Sequence, residues 1–220
     1  MPLSIFMRGR PEETAIASKQ SMSEALSEAA QHSGYVYLIL GFFVCGFHIT
    51  FVATHLPAYI TDQGLSAEVG AWSLAVIGLF NVFGAICAGI LANKFQKKNL
   101  LSLIYLSRGL FMVLFILLPI SQTTVLIVSA GLGFSWLSTV PLTSGIVAQV
   151  FGPRYMATLF GFVFVSHQLG SFMGVWLGGK IFDETGSYTM VWWLSIVLAL
   201  FAALVHLPIN ERPLARLKTI

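Results

Sequence analysis

Apolar residues in this chain do not alternate with polar ones. They run on. Six stretches, at residues 35–57, 69–92, 100–119, 123–149, 155–181 and 189–208, are apolar almost throughout. A helix rises about 1.5 Å per residue and needs ~20 residues to cross a ~30 Å hydrocarbon layer. A soluble domain has no use for so many segments of that length and character. The pattern predicts six membrane-spanning helices and an all-α membrane protein. The connections are short, which predicts that consecutive helices are antiparallel neighbours.

The breaks in the pattern add detail. Pro57, Pro119 and Pro208 fall at or near span ends, whereas Pro141 falls inside the fourth span. A proline there removes one helical hydrogen bond and predicts a kink. Glycine recurs within the spans, at Gly41 and Gly46, Gly84 and Gly89, Gly131 and Gly133, and Gly170, Gly174 and Gly178. Such small residues let membrane helices approach closely. Ahead of the first span, residues 1–31 lack the basic and short apolar regions of a signal peptide. Ser21 and Glu24 fit a capping box, and Met22, Ala25, Leu26 and Ala29 then share a helical face. A short interfacial helix and a disordered tail are both open readings of this segment. The organisation predicted is a linker at 1–34, a six-helix domain at 35–208 and a tail at 209–220.

Composition agrees with the spans. Hydrophobic residues make up 56% of the chain and charged residues 10%, against about 25% charged in soluble domains. The two cysteines, Cys45 and Cys87, both fall inside spans, which argues for small apolar fillers and not a disulfide framework. The distribution of charge matters more than its net value. Arg8, Arg10, Lys19, Lys94, Lys97, Lys98, Arg154, Arg212, Arg216 and Lys218 all lie on the side that holds both termini. The other side has Lys180 with Asp62, Glu68, Asp183 and Glu184. The positive-inside rule then places both termini in the cytoplasm. Trp72, Trp192, Trp193, Tyr35, Tyr155 and Tyr188 sit near span ends, where amphipathic rings anchor at the interface.

An internal repeat is visible. Gly84, Gly89 and Asn93 close the second span, and Gly174, Gly179 and Asp183 close the fifth, each position offset by 90 residues. The two spans end on opposite sides. This is the pattern of a 3+3 inverted repeat, a mark of secondary transporters.

Polar groups inside spans are costly and point to function. The spans hold no Asp or Glu. His48, Phe51 and His55 share one face of the first span; Trp136, Thr139 and Thr143 share one face of the fourth; His167 and Ser171 share one face of the fifth. Asn81 is the main amide of the second span. These residues could line a common solute cavity, or each histidine could donate to a backbone carbonyl and hold helices together. Arg108 lies about eight residues into its span, roughly 12 Å deep, and stays charged. A partner in another segment, an anionic substrate, or snorkelling to the cytoplasmic interface with backbone carbonyls as acceptors would each satisfy it. If a proton is carried here, histidine must carry it. Metal-binding, cofactor-binding and catalytic signatures are missing: no H-E-x-x-H, G-x-S-x-G or P-loop and no zinc-spaced Cys/His cluster. An enzyme is not expected, and neither is a nucleic-acid partner.

The loop Gly89-Ile-Leu-Ala-Asn93-Lys94-Phe-Gln-Lys97-Lys98 resembles the loop motif of the major facilitator superfamily. Asn93 stands where that motif has an acid, and Gln96 where it has a glycine. The segment from His167 through Gly170, Gly174, Gly178, Gly179 and Asp183 to Tyr188 is similar to the eleventh helix of bacterial carriers in the monocarboxylate-porter-like branch. Trp136-Leu-Ser-Thr-Val-Pro141-Leu-Thr143-Ser-Gly145 is similar to their tenth. The resemblance implies the second domain of a 12-helix carrier, helices seven to twelve, in a bacterial inner membrane. It implies alternating-access transport of a small solute, an organic anion such as a monocarboxylate. It also implies that helices seven, eight, ten and eleven line the cavity and that Arg108 sits on a peripheral helix. The partner expected besides lipid and solute is a missing N-terminal six-helix half or a second copy of the chain. A non-transporting subunit, or a truncated product that binds a partner, is the alternative.

Overall fold

The computed structural model describes residues 20–217, and its regular elements are all helical. Arg8, Arg10, Lys19 and Lys218 lie outside the described residues. Helix α1 (Met22–Gln31) carries the capping box: the Glu24 N–H donates to Ser21 Oγ, and the Ser21 N–H donates to Glu24 Oε2. Ala25 and Ala29 face the bundle, while Met22 is exposed. The six spans follow as α2 (Ser33–Asp62), α3 (Ala67–Leu91), α4 (Lys97–Leu117), the pair α5 (Gln122–Phe134) and α6 (Thr139–Phe151), α7 (Met156–Thr185) and α8 (Thr189–His206).

Three details depart from the expectations. Pro57 lies within α2, which continues to Asp62. The fourth span is broken, not kinked: the helix stops at Phe134, resumes at Thr139, and has Pro141 in the first turn of its second half. A proline is tolerated there because first-turn N–H groups have no helical acceptor in any case. Consecutive helices are also not the closest neighbours. The tightest pairs are α2 with α7, α3 with α5 and α4 with α8.

Glycine explains two of those pairs. A Cβ on Gly46 would stand 1.9 Å from the His167 carbonyl oxygen, and one on Gly170 would stand 1.9 Å from that of Phe43. Between α3 and α5, a Cβ on Gly84 would stand 1.8 Å from the Phe134 oxygen and one on Gly133 would stand 2.6 Å from that of Ile77. No side chain separates these backbones. The contacts also obey the repeat. Gly84 on Phe134 corresponds to Gly174 on Phe47, and Gly133 on Ile77 corresponds to Gly46 on His167. Second-span positions map onto the fifth with an offset of 90, and first-span positions onto the fourth with an offset of 87.

Two buried clusters fill the bundle. One, around Leu38, Tyr105, Leu142 and Leu159, lies toward the end where α1 and the chain's tail pack. The other, around Phe51, Phe115 and Trp192, lies toward the far end. Trp192, Tyr35 and Tyr188 are buried in these clusters, so only part of the expected aromatic belt, Trp72 and Trp193, faces outward.

The tail closes the basic end. The Glu211 carboxylate accepts the Lys98 N–H in the first turn of α4 at 2.5 Å, where a negative charge suits the helix dipole. The Leu214 N–H and Arg216 Nη2 donate to the Val150 and Phe151 oxygens, capping the end of α6 at 3.1 and 3.0 Å. Arg216 also pairs with Glu28 of α1 at 2.9 Å.

Candidate functional site

The polar residues singled out in the sequence divide by depth. His48 is fully buried, and its Nε2–H donates to the Ser195 carbonyl of α8 at 2.9 Å. Phe51, Thr139 and Thr143 are buried too, Thr139 Oγ1 lying 3.2 Å from Cys45 Sγ. His55 is nearly buried, and its Nε2–H donates to the Val175 carbonyl of α7 at 3.1 Å. Both imidazoles of α2 therefore bind neighbouring backbone, which was one of the two readings open to them.

Trp136 and His167 keep a narrow exposed edge. The His167 ring stacks on Phe164 at 5.1 Å, with Nδ1 3.2 Å from Gln168 Oε1 and 3.4 Å from Ser171 Oγ. Asn81 and Ser171 are only half-buried. Asn81 Oδ1 accepts the Leu137 N–H at 3.0 Å. The Ser171 carbonyl accepts Thr50 Oγ1–H at 2.9 Å. These two contacts are repeat counterparts, since 81 maps onto 171 and 50 onto 137. The least buried polar positions of the set thus stand at equivalent places in the two halves of the domain.

Arg108 is fully buried at the middle of α4. Nη2 donates to two successive carbonyls, Ser135 at 2.5 Å and Trp136 at 3.1 Å, and the guanidinium carbon lies 5.2 Å from the Tyr105 ring centroid. Its acceptors are backbone carbonyls, as one of the expected solutions had it, but the side chain does not snorkel. It reaches sideways to the C-terminal end of α5, where the helix dipole presents about half a negative charge.

The loop motif is mostly surface. Asn93 and Lys94 are exposed, and a Cβ on Gly89 would meet nothing within 4 Å. Lys97 Nζ donates to Gln149 Oε1 at 2.7 Å, and Lys98 Nζ to the Leu207 carbonyl at 2.9 Å. Sequence reasoning missed Gln149 and Glu211, which join this loop to α6 and the tail. It also missed the Glu28–Arg216 pair. Partial burial pushes the Glu28 carboxyl up, but hydrogen bonds from Arg216 and Gln20 and the Arg216 charge outweigh it. They hold the group below its ordinary value. Among the described residues, no three of His, Cys, Asp and Glu converge as metal ligands would.

Comparison with known proteins adds the family. The model of the major facilitator superfamily matches residues 2–175. The chain belongs to the major facilitator superfamily. This is a family of transporters and not of enzymes. The uncharacterized MFS-type transporter YcxA of Bacillus subtilis is 26% identical over 216 residues, covering 94% of this chain and 52% of its own length. Human monocarboxylate transporter 12 is 22% identical over 176 residues, 79% of this chain and 34% of its own. Monocarboxylate transporter 2 of Meriones unguiculatus is 27% identical over 192 residues, 84% and 38% respectively. This facilitator chain spans about half the length, or less, of these relatives.

One further surface feature of the facilitator domain concerns α3 and α7. Trp72, Leu79, Val82 and Ile86 form an exposed apolar stripe along α3. Phe162, Leu169, Phe172 and Trp176 form one along α7, each 90 residues further on.

Proposed function

We propose that this chain is the second six-helix half of a secondary carrier for a small organic anion, of the monocarboxylate class, working by alternating access in a bacterial inner membrane. Both termini face the cytoplasm. A 12-helix carrier needs two bundles moving against each other around a shared site, and this chain forms one bundle. The two repeat-related stripes on α3 and α7 support docking against the missing half, and the polar positions support the site between them. Asn81 and Ser171 stand foremost in that site, with His55, Trp136 and His167 at its edge. His48, Phe51, Thr139 and Thr143 form the layer behind. The solute class is supported by the names of the monocarboxylate transporters among the relatives.

The observation that carries the reading is the equivalent placement of Asn81 and Ser171 at half-exposed positions in a chain of this family. The test uses the native protein, captured from its own membranes by an antibody to residues 211–220 and reconstituted in vesicles. Uptake of radiolabelled lactate is expected, and Asn81→Ala and His55→Ala should lower it at equal protein amount. No lactate flux in any assembly that contains the chain would instead favour a non-transporting subunit. The captured mass is read alongside. A band near 24 kDa means separate halves, and one at about twice that means a single longer chain.

A further inference from the structure

The break in the fourth span sits where an exposed peptide group is hardest to tolerate. In hydrocarbon an unsatisfied N–H or C=O costs several kcal/mol. Interruption of the helix at residues 135–138 strands carbonyls at the end of α5 and N–H groups at the start of α6. Pro141 explains why a continuous helix is disfavoured here, since it has no N–H for the Leu137 carbonyl. That carbonyl is taken by the Val140 N–H at 3.0 Å. Pro141 does not explain what keeps the remaining groups satisfied. The Ser135 and Ser138 hydroxyls of the break itself take the Leu132 and Phe134 carbonyls, and side chains of two other helices take three more groups. Arg108 of α4 takes the Ser135 and Trp136 carbonyls, and Asn81 of α3 takes the Leu137 N–H.

The internal repeat shows that the cation belongs to the break. Positions 108 and 135 correspond to 195 and 48, each with an offset of 87. The second pair is the His48–Ser195 contact. A central helix is thus pinned to a peripheral one at the same place in both repeats. Where the central helix is continuous, as α2 is at His48, one imidazole bond serves. Where it is broken, a buried guanidinium with two carbonyls takes its place.

We propose that Arg108 and Asn81 are positioning residues of the transport site: together they hold the backbone of residues 135–138 as an open break, so that Trp136 and Leu137 stay presented to a solute and do not close into helix. This inference rests on the transport reading above. It makes Arg108 neither a solute ligand nor a passive filler. Its charge is held by the α5 terminus, and its effect on solute passes through the backbone it grips. Leu137, whose own N–H is the group that Asn81 holds, is exposed and reports the state of the break.

The test places a cysteine at Leu137 in the complete carrier, with Cys87→Ser as background, and measures its rate of alkylation by a small water-soluble maleimide in native membranes. Asn81→Ala is expected to slow alkylation roughly tenfold, the change expected from losing one buried hydrogen bond, and Arg108→Met, which removes two, by at least as much. Both are expected to raise the KM for lactate more than they lower kcat. Arg108→Lys keeps a cation near the carbonyls and should recover most of the alkylation rate. Asn81→Ala removes only a neutral amide and keeps the test alive if Arg108→Met does not accumulate. Unchanged alkylation in Asn81→Ala overturns the proposal, and so does a folded Arg108→Lys protein no different from Arg108→Met. Alkylation needs no substrate, so a parent carrier that moves no lactate would refute the solute class while the break is still being tested.

Discussion

Adding one methyl group at Gly46 or Gly170 should separate the two most closely packed helices of the domain. The new Cβ would stand 1.9 Å from a backbone oxygen of the facing helix in either case. That is about 1.5 Å short of ordinary van der Waals contact. The obstacle is helix backbone, so no rotamer change relieves it and α2 and α7 must part. Inserted methyl groups that cannot be absorbed cost about 1–3 kcal/mol, occasionally more. For a domain of this size each kcal/mol lowers Tm by roughly 2–4 °C. Gly46→Ala and Gly170→Ala should therefore lower the melting temperature of the purified carrier in lipid nanodiscs by about 2–12 °C. Gly78, Gly89 and Gly179 are the controls, because a Cβ at any of them would meet nothing within 4 Å. Alanine there should be neutral or stabilising by up to about 1 kcal/mol. Equal melting temperatures for Gly46→Ala and Gly179→Ala would refute the claim that backbone contact holds α2 to α7.

Two further outcomes are expected. Glu28 is held below its ordinary value of 4.5 in the fold, so its pairing stabilises the protein above that pH and is lost as pH falls through the lower folded value. The partly exposed pair contributes about 1 kcal/mol at most; Glu28→Gln should lower Tm slightly at neutral pH and not at all in strong acid, and a pH-independent difference would contradict the pairing. Gly152 has φ +86 between α6 and α7, a region that disfavours any side chain. Gly152→Ala should cost about 1–3 kcal/mol, and a variant that melts with the parent would show that the loop relaxes freely.

The number of membrane-length helices was legible because hydrocarbon thickness fixes helix length. The capping box of α1 was legible because it is local. The fourth span was misread because Pro141 marks its own position, while the gap opens ahead of it at residues 135–138, held open by Arg108 and Asn81 from elsewhere. The aspect of His48 and His55 depends on which helix lies opposite each ring. That choice is made by glycine contacts more than a hundred residues apart. Helical spacing puts both rings on one face of α2 but does not say whether it meets α8, α7 or a solute. The 90-residue offset was visible as matched glycines. The 87-residue offset matches only the short Gly46-Phe47 with Gly133-Phe134, while His48 falls on Ser135 and Arg108 on Ser195, so geometry was needed to reveal it.

The pairing of α2 with α7 also sets an order of events during synthesis. The Thr50–Ser171 contact joins positions 121 residues apart, which a ribosome adding about 5–20 residues per second covers in about 6–24 s. For that interval α2 resides in the bilayer with its glycine face open and His48 and His55 without the acceptors they will use. Lipid, the insertion machinery or an earlier part of the carrier must shelter that face meanwhile. A slowed ribosome between codons 62 and 156 would lengthen the exposure. The yield of folded carrier would then depend on translation speed as well as on the stability of the finished bundle.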